Sequence, residues 1–253
     1  MKRKRIKAAV CAAVMAFTLF GSLCPVDHHF IRETSVTASA EAAIWDGTED
    51  TAWYYREHDV VVSENGERIA IFNIRTAEEL AGLAKLVRNG NSMKNTMINL
   101  VSDVTLNDTT NFDNWDEQPP ANNWTAIGAV PMEAPNVNVV MTVQPECRNT
   151  VFAGMFNGNG HTISGMYSLH HNYAGLFART SGIITNVIVK DSYIQCINTQ
   201  KVESGDTALW EACAGGITAI CDRGVISHCE FDGKIFASGL NRVGYGTHGS
   251  FAG

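Results

Sequence analysis

The chain has 253 residues, 45% hydrophobic and 18% charged, with a formal net charge of −7. That acidic balance repels phosphate backbones and anionic lipid, which argues against nucleic-acid binding and stable membrane insertion. The length suffices for a sizeable core, built as one elongated domain or two small ones.

Met1 to Lys7 holds five basic residues, Ala8 to Leu23 is a nearly continuous apolar run, and Ala38-Ser39-Ala40 offers a small-x-small site. This order predicts a secretory signal peptide over residues 1–40 and places the protein outside the cell, secreted or on the surface. The apolar run falls short of the ~20 residues of a membrane span. Bulky Leu23 before Cys24 argues against a lipoprotein. Removing 1–40 takes away 6 of 19 basic and 2 of 26 acidic residues, so the mature charge is −11. Cys147, Cys196, Cys213, Cys221 and Cys229 remain. An odd count with no C-x-x-C pair argues against a zinc cluster. A disulfide stays open, and buried thiols acting as small apolar side chains are the expectation.

Residues 41–107 read as an N-terminal cap region. Ile44 to Tyr55 is aromatic and turn-rich, suited to covering an edge of the fold. Val60-Val61-Val62 and Ile69-Ala70-Ile71-Phe72 flank Asn65-Gly66, a hairpin signal. Thr76-Ala77-Glu78-Glu79 is a capping box, with Glu79 able to reach back to Thr76. Leu80, Leu83, Ala84 and Val87 then repeat at helical spacing, and Gly90 follows, so a helix is predicted over 77–89. Ile98, Leu100, Val104 and Leu106 share one parity, the alternation of a half-buried strand. From 108 to 150 come five of the six prolines among Asn, Asp and Thr. This predicts a long proline-rich insertion loop with one strand at Val137–Val143.

Residues 151–253 repeat a unit. Phe152 to Tyr167 carries Asn157-Gly158 and Asn159-Gly160, which supply the positive φ that a turn needs. Gly154-Met155-Phe156 is echoed by Gly175-Leu176-Phe177, and Ala174-Gly175-Leu176-Phe177 by Ala214-Gly215-Gly216-Ile217. Gly182-Ile183-Ile184-Thr185-Asn186-Val187 matches Gly224-Val225-Ile226-Ser227-His228-Cys229, and Phe251-Ala252-Gly253 opens another copy. Such periods signal a solenoid, each unit burying its apolar face on its neighbours. Gly and Asn at corners and the lack of a helical period make it a β-solenoid.

The run Phe152-Ala-Gly-Met-Phe-Asn-Gly-Asn-Gly-His-Thr-Ile-Ser-Gly-Met-Tyr, with Ala174-Gly-Leu-Phe and Ile184-Thr-Asn-Val, resembles GLUG-motif surface proteins of bacteria. Thr76-Ala-Glu-Glu-Leu-Ala-Gly-Leu-Ala and Trp124-Thr-Ala-Ile-Gly look like the segment preceding such repeats. The resemblance spans residues 44–253 apart from the insertion. It departs at Met155, where Thr is usual, and at Asn157, where Asp is usual. It implies an all-β, right-handed parallel β-helix with an N-terminal hairpin and one capping α-helix. Because a solenoid needs a cap, the break in mid-repeat at Gly253 predicts that the natural protein continues past that residue.

His161 reads as an exposed turn residue, and His170-His171 as a loop pair lacking a third metal ligand at a suggestive spacing. Cys213, Cys221 and Cys229 are spaced by eight; Cys213 aligns with Tyr173 and Cys229 with Val187, which favours core filling over metal. Polysaccharide lyases and hydrolases need converging carboxylates. The repeats offer Asp191, Glu203, Asp206, Glu211, Asp222, Glu230 and Asp232, of which Asp191 falls at a turn. No nucleophile elbow, phosphate loop or metalloprotease motif occurs. No catalytic residue, metal ligand or cofactor is therefore assigned. The expected function is adhesion or ligand display by a cell-surface scaffold. Its binding loops would be 108–150 and 198–211, where Trp115, Trp124 and Trp210 could anchor an extracellular glycan or a host or cell-surface protein. The alternatives are a carbohydrate-active enzyme on a β-helix and a fragment of a larger surface protein with no activity of its own.

Overall fold

The computed structural model describes residues 43–129, 150–198 and 212–239. The leader, the Val137–Val143 strand, Cys147, Trp210, Glu203, Asp206, Glu211 and the copy at Phe251 lie outside the described residues. In chain order the first elements are β1 (Asp59–Val62), β2 (Arg68–Ile74), α1 (Ala77–Arg88), β3 (Thr96–Leu100) and β4 (Val104–Thr105). After the insertion come β5 (Met155–Asn157), β6 (Thr162–Ser164), β7 (Tyr167–His170), β8 (Tyr173–Ala174), β9 (Phe177–Thr180) and β10 (Ile183–Thr185). The last are β11 (Ile188–Asn198), β12 (Cys213–Ala214), β13 (Thr218–Cys221), β14 (Val225–Ser227) and β15 (Glu230–Gly239). The described fold is thus mostly β with one α-helix, and its sheets are parallel beyond the antiparallel β1–β2 pair.

The Thr76 hydroxyl accepts from Glu79 N at 3.2 Å and starts α1. The Glu79 carboxylate turns back to Arg75 N at 2.7 Å, one residue earlier than a capping box would have it. The helix ends at Arg88 rather than 89, and Gly90 follows at φ +94°. Leu80, Leu83 and Val87 are fully buried. Burial of each contributes about 1.5–3 kcal/mol.

The main sheet runs β1-β2-β3-β5-β10-β14. Ile98, Phe156 and Ile184 stack in register and are fully buried, and their alternate neighbours Asn99, Asn157 and Thr185 face outward. That outer row forms an amide ladder: Asn99 donates to Asn73 at 3.2 Å and Asn186 to Asn157 at 3.0 Å. A second sheet, β15-β11-β6-β4, carries β7 beside β11. The single strand expected from Ile98 to Leu106 is two. After Leu100 the backbone turns a corner, so β3 and β4 belong to different sheets, while Val104 and Leu106 stay buried as the alternation required.

The 42-residue repeat is the stacking register: Ile183, Ile184 and Thr185 lie against Val225, Ile226 and Ser227. The Ala174/Ala214 echo is also a register pair. Two echoes are corrected. Met155 pairs with Ile183, so the Gly-x-Phe likeness between 154–156 and 175–177 joins strands of different sheets. Phe177 pairs with Thr218 rather than Ile217, because the segment after Gly215 holds one extra residue. Close stacking explains the glycines. A Cβ on Gly182 would sit 2.0 Å from the Gly154 carbonyl oxygen, nearer than real Cβ atoms come to any neighbour.

Candidate functional site

The insertion is only partly a loop. Ile127 bridges Phe177 in parallel, with Ile127 N on Leu176 O and Ala178 N on Ile127 O, both at 2.9 Å. The stretch around Trp124-Thr-Ala-Ile-Gly therefore belongs to the stack. Ahead of it, residues 107–122 leave and return at one point. Asn107 Nδ2 donates to Asn122 O at 2.9 Å and to Gly165 O at 3.0 Å. Asn122 N donates back to Asn107 Oδ1, and Asn122 Nδ2 donates to Trp45 O and Leu106 O.

Between this closed loop and the strand-like segment at Ile44-Trp45 lies a groove of about 540 Å³. Trp45 and Trp115 are buried in its wall, and Ile44, 52% exposed, stands on its rim with Pro119. Apart from Asp108 its polar side chains are four carboxamides and the Thr110 hydroxyl, with exposed Asn111 and Gln118 bonded to each other at 3.3 Å. Asp108 is the one carboxylate in this lining. The Thr110 hydroxyl and amide bind it at 2.5 and 2.9 Å and hold its carboxyl below the usual carboxylate range. Asp108 is thus a fixed anion that organises a turn, poorly suited to giving or taking a proton.

Of the three tryptophans expected on display, the two in described residues, Trp115 and Trp124, are buried. Trp115 packs edge-on against Tyr167 at 6.1 Å, and Trp124 against Trp45 at 5.8 Å. Each is 2% exposed, so the loop's exposed surface is its polar tip and Pro119 instead. Loop aromatics carry no sequence signal that separates an anchor from a plug.

The other candidates are dispersed. His161 Nδ1 lies 3.1 Å from Asp103 Oδ1 at a corner. The His170-His171 pair is taken up in structural roles: His170 Nδ1 accepts from the amides of Asn172 and Tyr173, each at 3.1 Å. His171 Nδ1 meets Ile197 O at 2.9 Å. Among the described residues no group of three His, Cys, Asp or Glu could hold a metal. Asp222 pairs with Arg179 at 3.0 Å and Glu230 with Lys190 at 3.7 Å. Asp191 sits at φ +47°, the corner conformation its turn reading implied. A second groove of about 600 Å³ runs along the corner residues Asn159, Asn186 and His228 and holds one carboxylate, Glu230. A third, of about 330 Å³, holds two, Glu57 and Asp59, among Arg56 and Arg75. The first two hold one carboxylate each, fewer than the pair that glycan cleavage would need.

Comparison with protein-family models, with curated proteins and with solved structures finds no match for this sequence.

Proposed function

We propose that the protein is an exported bacterial surface scaffold: a right-handed parallel β-helix of the GLUG-motif kind, displaying a ligand-binding loop at 107–122. The observation that carries this is the groove beside that loop. Its walls are apolar and aromatic, its neutral polar side chains are carboxamides and the Thr110 hydroxyl, and its one carboxylate is committed to a turn. Such a lining suits an uncharged, polyhydroxylated ligand, a neutral glycan, better than a charged one. The in-register parallel stacks and glycine-tight corners support the β-helix, and the basic–apolar–small leader supports export. Ile184, Val187, Val189 and Ile194 are fully buried, whereas Ile226, Cys229, Phe231 and Ile235, one turn on, are only partly so. That inner row suits a further layer of β-structure packed on it.

The test is calorimetric titration of the purified full-length protein with a panel of neutral and acidic oligosaccharides. A neutral sugar should bind and lose about tenfold in affinity, ~1.4 kcal/mol, in Gln118→Ala. Binding of acidic sugars alone, or binding insensitive to Gln118 and Asn111, overturns the assignment.

A further inference from the structure

Two adjacent turns of the stack share a corner but hold it differently. In the first turn the backbone passes from β7 to β8 through His171 and Asn172, and His170 Nδ1 grips the amide of Tyr173 at 3.1 Å. In the next turn the equivalents in register are Cys196, opposite His170, and Cys213, opposite Tyr173. The Cys213 amide donates to the Asn172 carbonyl at 2.8 Å, which ties the second turn's corner to the first. The difference is length: the sequence interposes residues 197–212 between the two cysteines. Both are buried thiols, Cys196 wholly and Cys213 at 4% exposure.

We infer that Cys196 and Cys213 are a redox pair whose disulfide closes the corner at the base of residues 197–212. Where two residues suffice in the first turn, the second must bring together ends that are 17 positions apart. A covalent bond between those positions replaces the short link. Of the four cysteines in described residues, these two flank one corner; Cys221 is exposed at the end of β13 and Cys229 bonds the carbonyl of Ser227. The chemistry is dithiol–disulfide exchange. One cysteine thiolate attacks an oxidant disulfide and releases its thiol. The second thiolate then displaces the other oxidant thiol, so that two protons and two electrons leave the pair and the oxidant becomes two thiols. In the folded protein burial pushes the Cys196 thiol up to about 12, so attack is slow once the corner has closed and belongs to folding. The inference rests on the export reading only for a natural oxidant.

The full-length protein, refolded with glutathione disulfide, is alkylated, digested without reduction and mapped by mass spectrometry. The expected product is a linked Cys196–Cys213 peptide, lighter by about 2 Da than the two thiols. Cys221 is alkylated in the same sample. Oxidation of the folded, reduced protein should be at least tenfold slower than oxidation during refolding. In Cys196→Ala, which keeps the position small and apolar, Cys213 should become glutathionylated or alkylated after unfolding. Alkylation of both thiols in refolded wild type, or linkage of either to another cysteine, overturns the pair. Material recovered from outside the cell is mapped in parallel. Linkage in vitro with both thiols free and the leader uncleaved in the cell would sink the export reading while leaving the pair standing.

Discussion

Asn107 and Asn122 clamp each other reciprocally. The side chain of Asn107 donates to the Asn122 carbonyl at 2.9 Å and accepts the Asn122 amide at 3.0 Å. Asn107 is 3% exposed, so these bonds have no water to replace them. The clamp decides where the 107–122 loop leaves the stack and hence where the groove lies.

Asn107→Ala should therefore cost about 2–3 kcal/mol in urea unfolding, since it strands the buried Gly165 carbonyl and the half-buried amide and carbonyl of Asn122. Asn107→Asp keeps the acceptor but faces a carboxylate toward two carbonyls, and should lose at least as much. Loss under about 0.5 kcal/mol for both variants would show that the loop is held elsewhere.

Part of the parallel strand pairing was legible in the sequence, for a physical reason. Where a strand and its flanking corners keep their length from one repeat to the next, the residues recur at one spacing, so Gly182–Val187 and Gly224–Cys229 align on sight, and Ile183–Thr185 pairs with Val225–Ser227. The Gly-x-Phe likeness at 154 and 175 misled because strands of two different sheets need the same small residue before an inward aromatic. The groove was less legible. An Asn in a polar loop reads the same whether it clamps a turn, as Asn107 does, or meets solvent, as Asn111 does. Trp115 and Trp124 sit in a proline-rich segment whose outward appearance hides that it lies on a sheet face.

Gly182 tests the stacking itself. Its substitution by Ala drives a Cβ into the Gly154 carbonyl oxygen, a backbone group that cannot step aside. The expected loss is about 3 kcal/mol or more, with loss of cooperative unfolding if β5 and β10 separate. Gly160→Ala is the control: it has φ +77° and no atom within 4 Å of the added Cβ, so only the conformational cost of about 1–2 kcal/mol applies. Equal losses in the two variants would refute close stacking as the reason for Gly182.

Asp222 joins neighbouring turns through Arg179, and that bond, followed by the charge of Arg223, lowers its carboxyl below 3.8. For a carboxylate depressed in the folded state, the stabilisation is complete above the unfolded value and disappears as pH falls through the folded one. Wild type should thus melt above Asp222→Asn at neutral pH by a small margin, the pair being exposed. The gap should hold down to about pH 4 and close below it. A gap that persists at pH 2 would show that the aspartate acts through something other than its charge.

Trp115 covers two tyrosines that continue an aromatic row along the outer face of β7, β11 and β15: Tyr167 stacks on Tyr193 at 5.6 Å, and Tyr193 lies 5.3 Å from Phe236. Burial raises the phenol of Tyr167 above 10, with the Tyr193 charge adding to it; burial and then Asp116 raise Tyr193. A phenol raised in the folded state stabilises fully below the unfolded value and loses that contribution as pH climbs through the folded one. Stability should therefore decline above about pH 10, and spectrophotometric titration should find two tyrosines ionising late. Trp115→Ala opens the cover, costs about 3–5 kcal/mol and should bring both midpoints back toward 10. Asp116→Asn leaves the packing intact and should lower the Tyr193 midpoint alone, a readout available even where the tryptophan variant fails to fold. Late ionisation unchanged in both variants would mean that the loop does not lie on this face, and the groove it forms with Ile44 and Trp45 would fall with it.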